Sequence, residues 1–237
     1  MRYDNGPITL LLGDCRELLP TFPDGSFDCL LSDPPYSLDI AGGNKGCFER
    51  SYRKIKSPEI AALVKGFDIP AALAEWDRLL RQKSIFCFCS NRQIAELMTA
   101  AQAQGFTPTV LVWHKYNSVP FANGTWRQDA EFIIHARKKH APMNGRSVAK
   151  SKVKRYPLVS GKAKYGHPTA KPIGLLEDLL LVGSNAGDTI LDPYCGSGTA
   201  AIACLKHGRR FVGIERERAY FDQAIRRVED YHAAQLH

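Results

Sequence analysis

The residues able to do chemistry are concentrated in two short stretches. The first, Leu31-Ser32-Asp33-Pro34-Pro35-Tyr36, closes a hydrophobic run over residues 27–31. Such a run reads as a buried strand, and the paired prolines forbid its continuation, so Asp33 and Tyr36 must stand on a stiff, extended loop at the strand's end. Asp33 offers carboxylate acceptors, Pro34 offers its carbonyl, and neither Pro34 nor Pro35 has an N–H to compete for them. Tyr36 adds a flat aromatic face. Two acceptors beside a stacking surface suit a planar, amine-bearing ring whose two amino protons they would take. Taken alone, the same residues also read as a tight turn with a satisfied aspartate.

The second stretch is Asp192-Pro193-Tyr194-Cys195-Gly196-Ser197-Gly198-Thr199, between an apolar run and a helical pattern over residues 200–207. Strand, glycine loop and helix in that order let main chain approach a ligand closely and point helix N-terminal N–H groups at it. Glu215 closes the next apolar run, 17 residues beyond Gly198, at the separation where an acidic residue meets ribose hydroxyls in nucleoside-binding folds. The G-x-G-x-x-G spacing is absent, since Ala201 stands where its last glycine would, and no lysine is placed for a P-loop. A nucleoside cofactor without a pyrophosphate fits better, and S-adenosylmethionine is the leading candidate.

These stretches need a scaffold that delivers strand ends to one edge. Residues 8–12 read as a strand followed by Asp14, which is a second strand-end carboxylate or a helix N-cap, two compatible roles. Residues 15–19 form a helical turn closed by Pro20. Ser57-Pro58 starts a helix that Gly66 ends, and residues 70–80 carry Leu73, Trp76, Leu79 and Leu80 at core spacing. A strand over 84–89, a helix over 91–104 stopped by Gly105, and strands over 109–113 and 130–136 follow. This alternation predicts one α/β domain over residues 1–237, a parallel sheet with helices on both faces. Helical signals resume at Pro172, and a last helix covers the sheet.

Two segments break the periodicity. Residues 39–56 contain Lys45, Arg50, Arg53, Lys54 and Lys56 among glycines, and read either as solvated surface or as a lid or DNA-contacting loop. Residues 137–164 contain ten Lys or Arg and no Asp or Glu, a block expected to be mobile and to supply phosphate contacts, with Lys150, Lys152, Lys154 and Arg155 as candidates. Between 114 and 128, Tyr116, Phe121 and Trp126 lie among His114, Lys115 and Arg127; they either stack bases or pack the loop onto the domain.

The chain has 237 residues, 44% of them hydrophobic, and a net charge of +8, enough for a sizeable core and suited to a polyanionic partner. Without a ~20-residue apolar run or a signal-peptide pattern, the expectation is a cytoplasmic protein with no membrane partner. The seven cysteines show no CxxC pair and sit mostly in apolar runs, so they read as buried, reduced thiols rather than disulfides or a metal site.

With both stretches in view, the sequence resembles the amino-methylating DNA methyltransferases that use S-adenosylmethionine. Asp33-Pro34-Pro35-Tyr36 looks like their catalytic motif, residues 192–199 like their cofactor loop with Tyr194 in place of Phe, and His167-Pro168-Thr169-Ala170-Lys171-Pro172 like their His-Pro-Thr-Gln-Lys-Pro element with Ala170 in place of Gln. Residues 113–120 and Ala130-Glu131-Phe132-Ile133-Ile134 also match family segments, so the resemblance spans nearly the whole chain. The catalytic motif precedes the cofactor loop, as in the permuted beta group. Membership implies a Rossmann-like, twisted, seven-stranded sheet with one antiparallel strand, a target-recognition segment at about residues 117–166, and frequent homodimers. It also implies methyl transfer to adenine N6 in DNA, leaving S-adenosylhomocysteine, with the Ser form of the motif being commoner for cytosine N4. Through the resemblance, Asp14 is assigned to the cofactor's adenine amine and Thr169 and Lys171, with His167 beside them, to its carboxylate. The alternatives are a cytosine-N4 enzyme and a non-catalytic DNA-binding relative.

Overall fold

The computed structural model describes residues 1–35, 67–118, 126–159 and 171–235. The helix expected over 57–66 and the basic loop with Lys45, Arg50, Arg53 and Lys54 lie outside the described residues.

The described strands form a single sheet. They are β1 (Arg2–Asn5), β2 (Ile8–Leu12), β3 (Phe27–Ser32), β4 (Leu80–Cys89), β5 (Thr107–His114), β6 (Ala130–Arg137), β7 (Val153–Arg155), β8 (Thr189–Asp192) and β9 (Arg210–Glu215), in the spatial order β1-β2-β9-β8-β3-β4-β6-β5-β7. The strands β2, β9, β8, β3 and β4 are mutually parallel. Only β6 is reversed within the run from β2 to β5. That run is the expected seven-stranded sheet with one antiparallel member.

The two edge strands go beyond that expectation. Asn5 pairs with Ile8 across Gly6-Pro7, and Gly6 at φ +63 with a proline behind it makes the two-residue turn that folds β1 back on β2. β7 emerges from the middle of the basic block expected to be mobile. Its main chain completes the open edge of β5, with Val112 N–H donating to Lys152 O at 2.8 Å and Tyr156 N–H to His114 O at 3.2 Å. Backbone pairing at a sheet edge is indifferent to side-chain charge, which is why composition misleads there.

The described α-helices are the turn α1 (Cys15–Leu18), α2 (Ile69–Leu79), α3 (Ile94–Ala103), α4 (Ile173–Gly183), α5 (Thr199–Lys206) and α6 (Arg218–Gln235). Asp68 caps α2 by accepting from Ala71 N–H, Pro70 sits in its first turn, and Ile69, Leu73, Trp76 and Leu79 recur on its buried face. Leu80, expected on that helix, is already extended and begins β4. α2 and α3 cover one face of the sheet, packing on Leu30, Ile85, Cys87, Leu191 and Ile214. α4, α5 and α6 cover the other, against Ile8, Leu31, Phe86, Phe88 and Trp113. β3 is therefore buried at all six positions, and its sequence is apolar apart from Asp28, which is paired with Arg81, and the terminal Ser32. The six described cysteines are buried free thiols. No described helix is long and apolar enough to cross a membrane.

The winding defines one special place. From β3 the chain moves to β4 by way of α2, and from β8 it moves to β9, on the opposite side, by way of α5. The seam between β3 and β8 is where the winding reverses, and open sheets of this kind keep their ligands at the carboxyl ends of strands at such a point.

Candidate active site

Four carboxylates stand at or just beyond the carboxyl ends of four adjacent strands. Asp14 follows β2, Glu215 ends β9, Asp192 ends β8 and Asp33 follows β3. The two sequence motifs thus meet across the β3/β8 seam.

The seam is latched by Ser32, whose Oγ donates to Asp192 Oδ1 at 2.7 Å. The same oxygen accepts from Tyr194 N–H at 3.1 Å. Burial pushes the Asp192 carboxyl up to about 7, against the lowering effect of these two hydrogen bonds, and the Asp33 and Glu215 charges add to the rise. The sequence places Asp192 at the cofactor; its contacts with Ser32 and Tyr194 make it the joint between the two motifs.

The loop after Asp192 turns through Gly196 at φ +52 and Gly198 at φ +75. Gly196 N–H donates to Glu215 Oε2 at 2.9 Å, and Glu217 N–H to Glu215 Oε1 at 2.7 Å. These bonds fix the plane of the Glu215 carboxylate, while burial, outweighing them, raises its pKa. Gly198 also meets a packing requirement: a Cβ there would sit 2.9 Å from Ala224 Cβ, so the glycine lets α5 dock on α6. Thr199, also expected at the cofactor, accepts from Arg227 Nη1 of α6. Pro193 and Ser197 are buried within the loop, and Tyr194 is largely buried beside Cys15, with its ring centroid 6.2 Å from that of Phe67.

Asp14 is the N-cap of α1, accepting from Arg16 N–H at 2.9 Å, and is paired with the Arg16 guanidinium at 2.5 Å. The Arg16 side chain holds the Asp14 carboxyl below its ordinary value. Gly13 N–H donates to Glu215 O at 2.9 Å, tying the β2 and β9 ends together. Two ordered carboxylates on neighbouring strand ends, flanked by a left-handed glycine turn, fit a nucleoside: hydroxyl and amine donors find acceptors on both.

Asp33 leads into a buried ionic chain. Lys171 Nζ lies 2.5 Å from Asp33 Oδ2 and 2.8 Å from Glu131 Oε1, and Lys115 Nζ lies 2.8 Å from Glu131 Oε2. Burial opposes the Lys171 charge, but the Asp33 and Glu131 carboxylates outweigh it and hold its pKa above the ordinary lysine value. Burial likewise works against Glu131, and Lys171 and Lys115 overcome it to hold that carboxyl low. Lys171, expected from the resemblance at the cofactor's carboxylate, is paired in the structure with Asp33 and Glu131. Glu131, Lys115 and Ser32 are site residues that the sequence motifs do not single out. A signal for Glu131 exists, a charge directly ahead of the apolar Phe132-Ile133-Ile134 of β6. Gln93, buried beyond β4, accepts from Ser90 N–H at 3.1 Å and approaches Pro35 O with its amide at 3.4 Å.

Tyr36, His167 and Thr169 lie outside the described residues. Of the basic candidates, Lys150, Lys152 and Arg155 are exposed, but Lys154 points inward from β7, donating to Ala149 O at 2.6 Å and lying 3.4 Å from Asp178. Alternation along the strand puts Lys154 on the face opposite Val153 and Arg155, so it is withdrawn from any phosphate. Tyr116 and Trp126 are exposed, Trp126 at 91%, rather than packed down on the domain.

The DNA methylase family profile (N6_N4_Mtase) matches residues 27–226. The Type II methyltransferase M2.MboI of Moraxella bovis is 29% identical, the alignment covering 96% of this chain and 89% of that protein. The Type II methyltransferase M.HinfI of Haemophilus influenzae is 27% identical over 94% of this chain and 68% of its own length. Among solved structures, the M1.HpyAVI complex with S-adenosylmethionine superposes with a TM-score of 0.70 at 26% identity, covering 93% of this chain and 98% of that one. The PvuII cytosine-N4-specific DNA methyltransferase shares the fold, with a TM-score of 0.68 at 15% identity over 94% of this chain and 86% of its own. The family profile spans both motifs and the seam that joins them, so the chain belongs to the N6/N4 DNA methylase family of S-adenosylmethionine-dependent DNA amino-methyltransferases, in the permuted order.

Proposed function

We propose that the chain transfers the methyl group of S-adenosylmethionine to the N6 amine of adenine in DNA, at the seam between β3 and β8. The observation that supports this reading is the Ser32–Asp192 hydrogen bond, which ties the strand leading to Asp33 to the strand leading to the glycine loop. S-adenosylmethionine supplies an electrophilic methyl on a sulfonium. Glu215 would take the ribose hydroxyls, Asp14 the adenine amine, and the Gly196 turn the methionine part.

An exocyclic amine is a poor nucleophile because its lone pair is delocalised into the ring. Hydrogen bonds from the amine to the Asp33 carboxylate and the Pro34 carbonyl favour a pyramidal nitrogen with its lone pair aimed at the methyl. The gain is orientation plus stabilisation of the positive charge that develops on nitrogen. A base in duplex DNA must be rotated out to reach Asp33, with Tyr36 as its stacking surface. Lys150, Lys152 and Arg155 would hold phosphates, and Tyr116 and Trp126 would stack on bases, within a recognition segment at about residues 117–166. The shortness of that segment supports a homodimer in which a second copy shares recognition.

Support for adenine over cytosine is the aspartate at position 33. The second reading is cytosine N4. It has the same donors and chemistry, and among the relatives described above the one whose name specifies a base, the PvuII enzyme, favours it. Incubating DNA with enzyme and methyl-labelled cofactor, then digesting it to nucleosides, tests both. The main reading expects N6-methyladenine; N4-methylcytosine as the sole product replaces it with the second.

A further inference from the structure

We propose that Glu131 and Lys115 are positioning residues for methyl transfer, acting through Lys171 to set the charge that surrounds Asp33. The inference rests on the methyltransferase reading and extends it to two side chains behind the acceptor.

The four groups alternate in sign. Lys115 Nζ and Glu131 Oε2 are 2.8 Å apart, Glu131 Oε1 and Lys171 Nζ 2.8 Å, and Lys171 Nζ and Asp33 Oδ2 2.5 Å. Side-chain exposure is 9% for Lys115, 13% for Glu131 and 8% for Lys171, and rises to 27% at Asp33, so the chain of charges runs from the interior towards the surface at the strand ends. The sheet builds it. Glu131 on β6 is the register partner of Trp113 on β5, and the two ammonium groups lie 4.9 Å from the Trp113 ring and 5.0 Å from the Phe88 ring. A charge in such surroundings is poorly screened and is costly unless paired.

In the transfer an N–CH3 bond forms as the S–CH3 bond breaks, the sulfur leaves as a neutral thioether, and the nitrogen sheds one proton to solvent. Positive charge therefore grows on nitrogen next to Asp33. A lone Lys171 cation behind Asp33 would oppose that growth. Glu131 cancels it, and Lys115 in turn keeps Glu131 ionised despite its burial. Over these four described groups the sum is zero; without the Glu131 charge it is +1 beside a developing cation.

The test uses the full chain, duplex DNA and methyl-labelled S-adenosylmethionine, with cofactor affinity measured in parallel to show that each variant is folded. Glu131→Gln is expected to lower kcat about tenfold or more while KM for DNA and the cofactor Kd change less than about threefold. The double variant Lys115→Met/Glu131→Gln restores the zero sum and is expected to recover kcat by about threefold or more over Glu131→Gln, whereas a merely structural role makes two lesions no better than one. Unchanged kcat in Glu131→Gln, or a double variant no faster than the single one, overturns the proposal. Should Glu131→Gln fail to bind cofactor, the double variant is read against Glu131→Asp, which keeps the charge: rates within about tenfold of each other support the proposal and a wider gap overturns it. A wild-type chain that binds cofactor yet labels no DNA fails the methyltransferase reading itself.

Discussion

Ser32 Oγ donates to Asp192 Oδ1 at 2.7 Å between residues 160 positions apart in the chain, and this bond joins the last residue of β3 to the last residue of β8. Ser32→Ala leaves Tyr194 N–H to hold the buried Asp192 oxygen and costs about 1–3 kcal/mol. For a chain of this size the melting temperature should fall by roughly 2–4 °C per kcal/mol, with cofactor affinity falling alongside it. Thermal melts and titration calorimetry check both; a variant indistinguishable from wild type would show that the seam does not depend on this latch.

Glu215→Gln should separate loop order from fold. The carboxylate accepts from Gly196 and Glu217 N–H groups, and an amide in its place turns one NH2 towards a backbone donor. Cofactor Kd is expected to rise about tenfold, equivalent to about 1.4 kcal/mol, with little change in melting temperature. Calorimetric titration with S-adenosylmethionine measures it, and an unchanged Kd would remove Glu215 from the cofactor site.

The basic segment around β7 makes opposite predictions for nearby residues. Replacing exposed Lys150, Lys152 and Arg155 by Ala should flatten the salt dependence of DNA binding by about one unit of slope for each phosphate no longer neutralised. Lys154→Ala should leave that slope alone and lower the melting temperature, because its ammonium is held by Ala149 O and Asp178. Binding isotherms between low and physiological salt, read beside melts, decide it. A salt slope that responds to Lys154 and not to its neighbours would reverse the assignment.

His135 predicts the acid limb of stability. Stacked on Phe86 with centroids 4.0 Å apart, it is buried, and burial, with a smaller contribution from the Arg137 charge, lowers its pKa from 6.5 to about 4. The unfolded chain binds the proton first, so this contribution is fully present above pH 6.5 and is lost as pH falls towards 4, up to roughly 3 kcal/mol. His135→Gln should flatten the decline in melting temperature over that window. An equally steep decline in the variant would place the acid sensitivity elsewhere.

The strand ends are legible in the sequence because each is marked by a change of chemistry: an apolar run stops at a carboxylate, as at Asp33, Asp192 and Glu215. The helix starts are legible for the same local reason, as where Asp68 and Pro70 open α2. What is not legible depends on partners far away in sequence. β7 exists because β5 leaves an edge to be paired, and nothing in Val153-Lys154-Arg155 announces that. The packing role of Gly198 is hidden in the sequence because its partner, Ala224, comes 26 residues later. The role of Lys171 needs Glu131 and Asp33 brought to within 2.8 Å of it, a convergence of three separate segments that spacing does not encode.

The most direct test of the account compares wild type and Asp33→Ala for methyl transfer from labelled S-adenosylmethionine to duplex DNA, with cofactor binding measured on the same samples. The expected result is labelled amino nitrogen in the wild-type product, no transfer by Asp33→Ala, and cofactor binding retained within about threefold in the variant. Equal turnover by Asp33→Ala, or label on a ring carbon instead of an exocyclic amine, would contradict it.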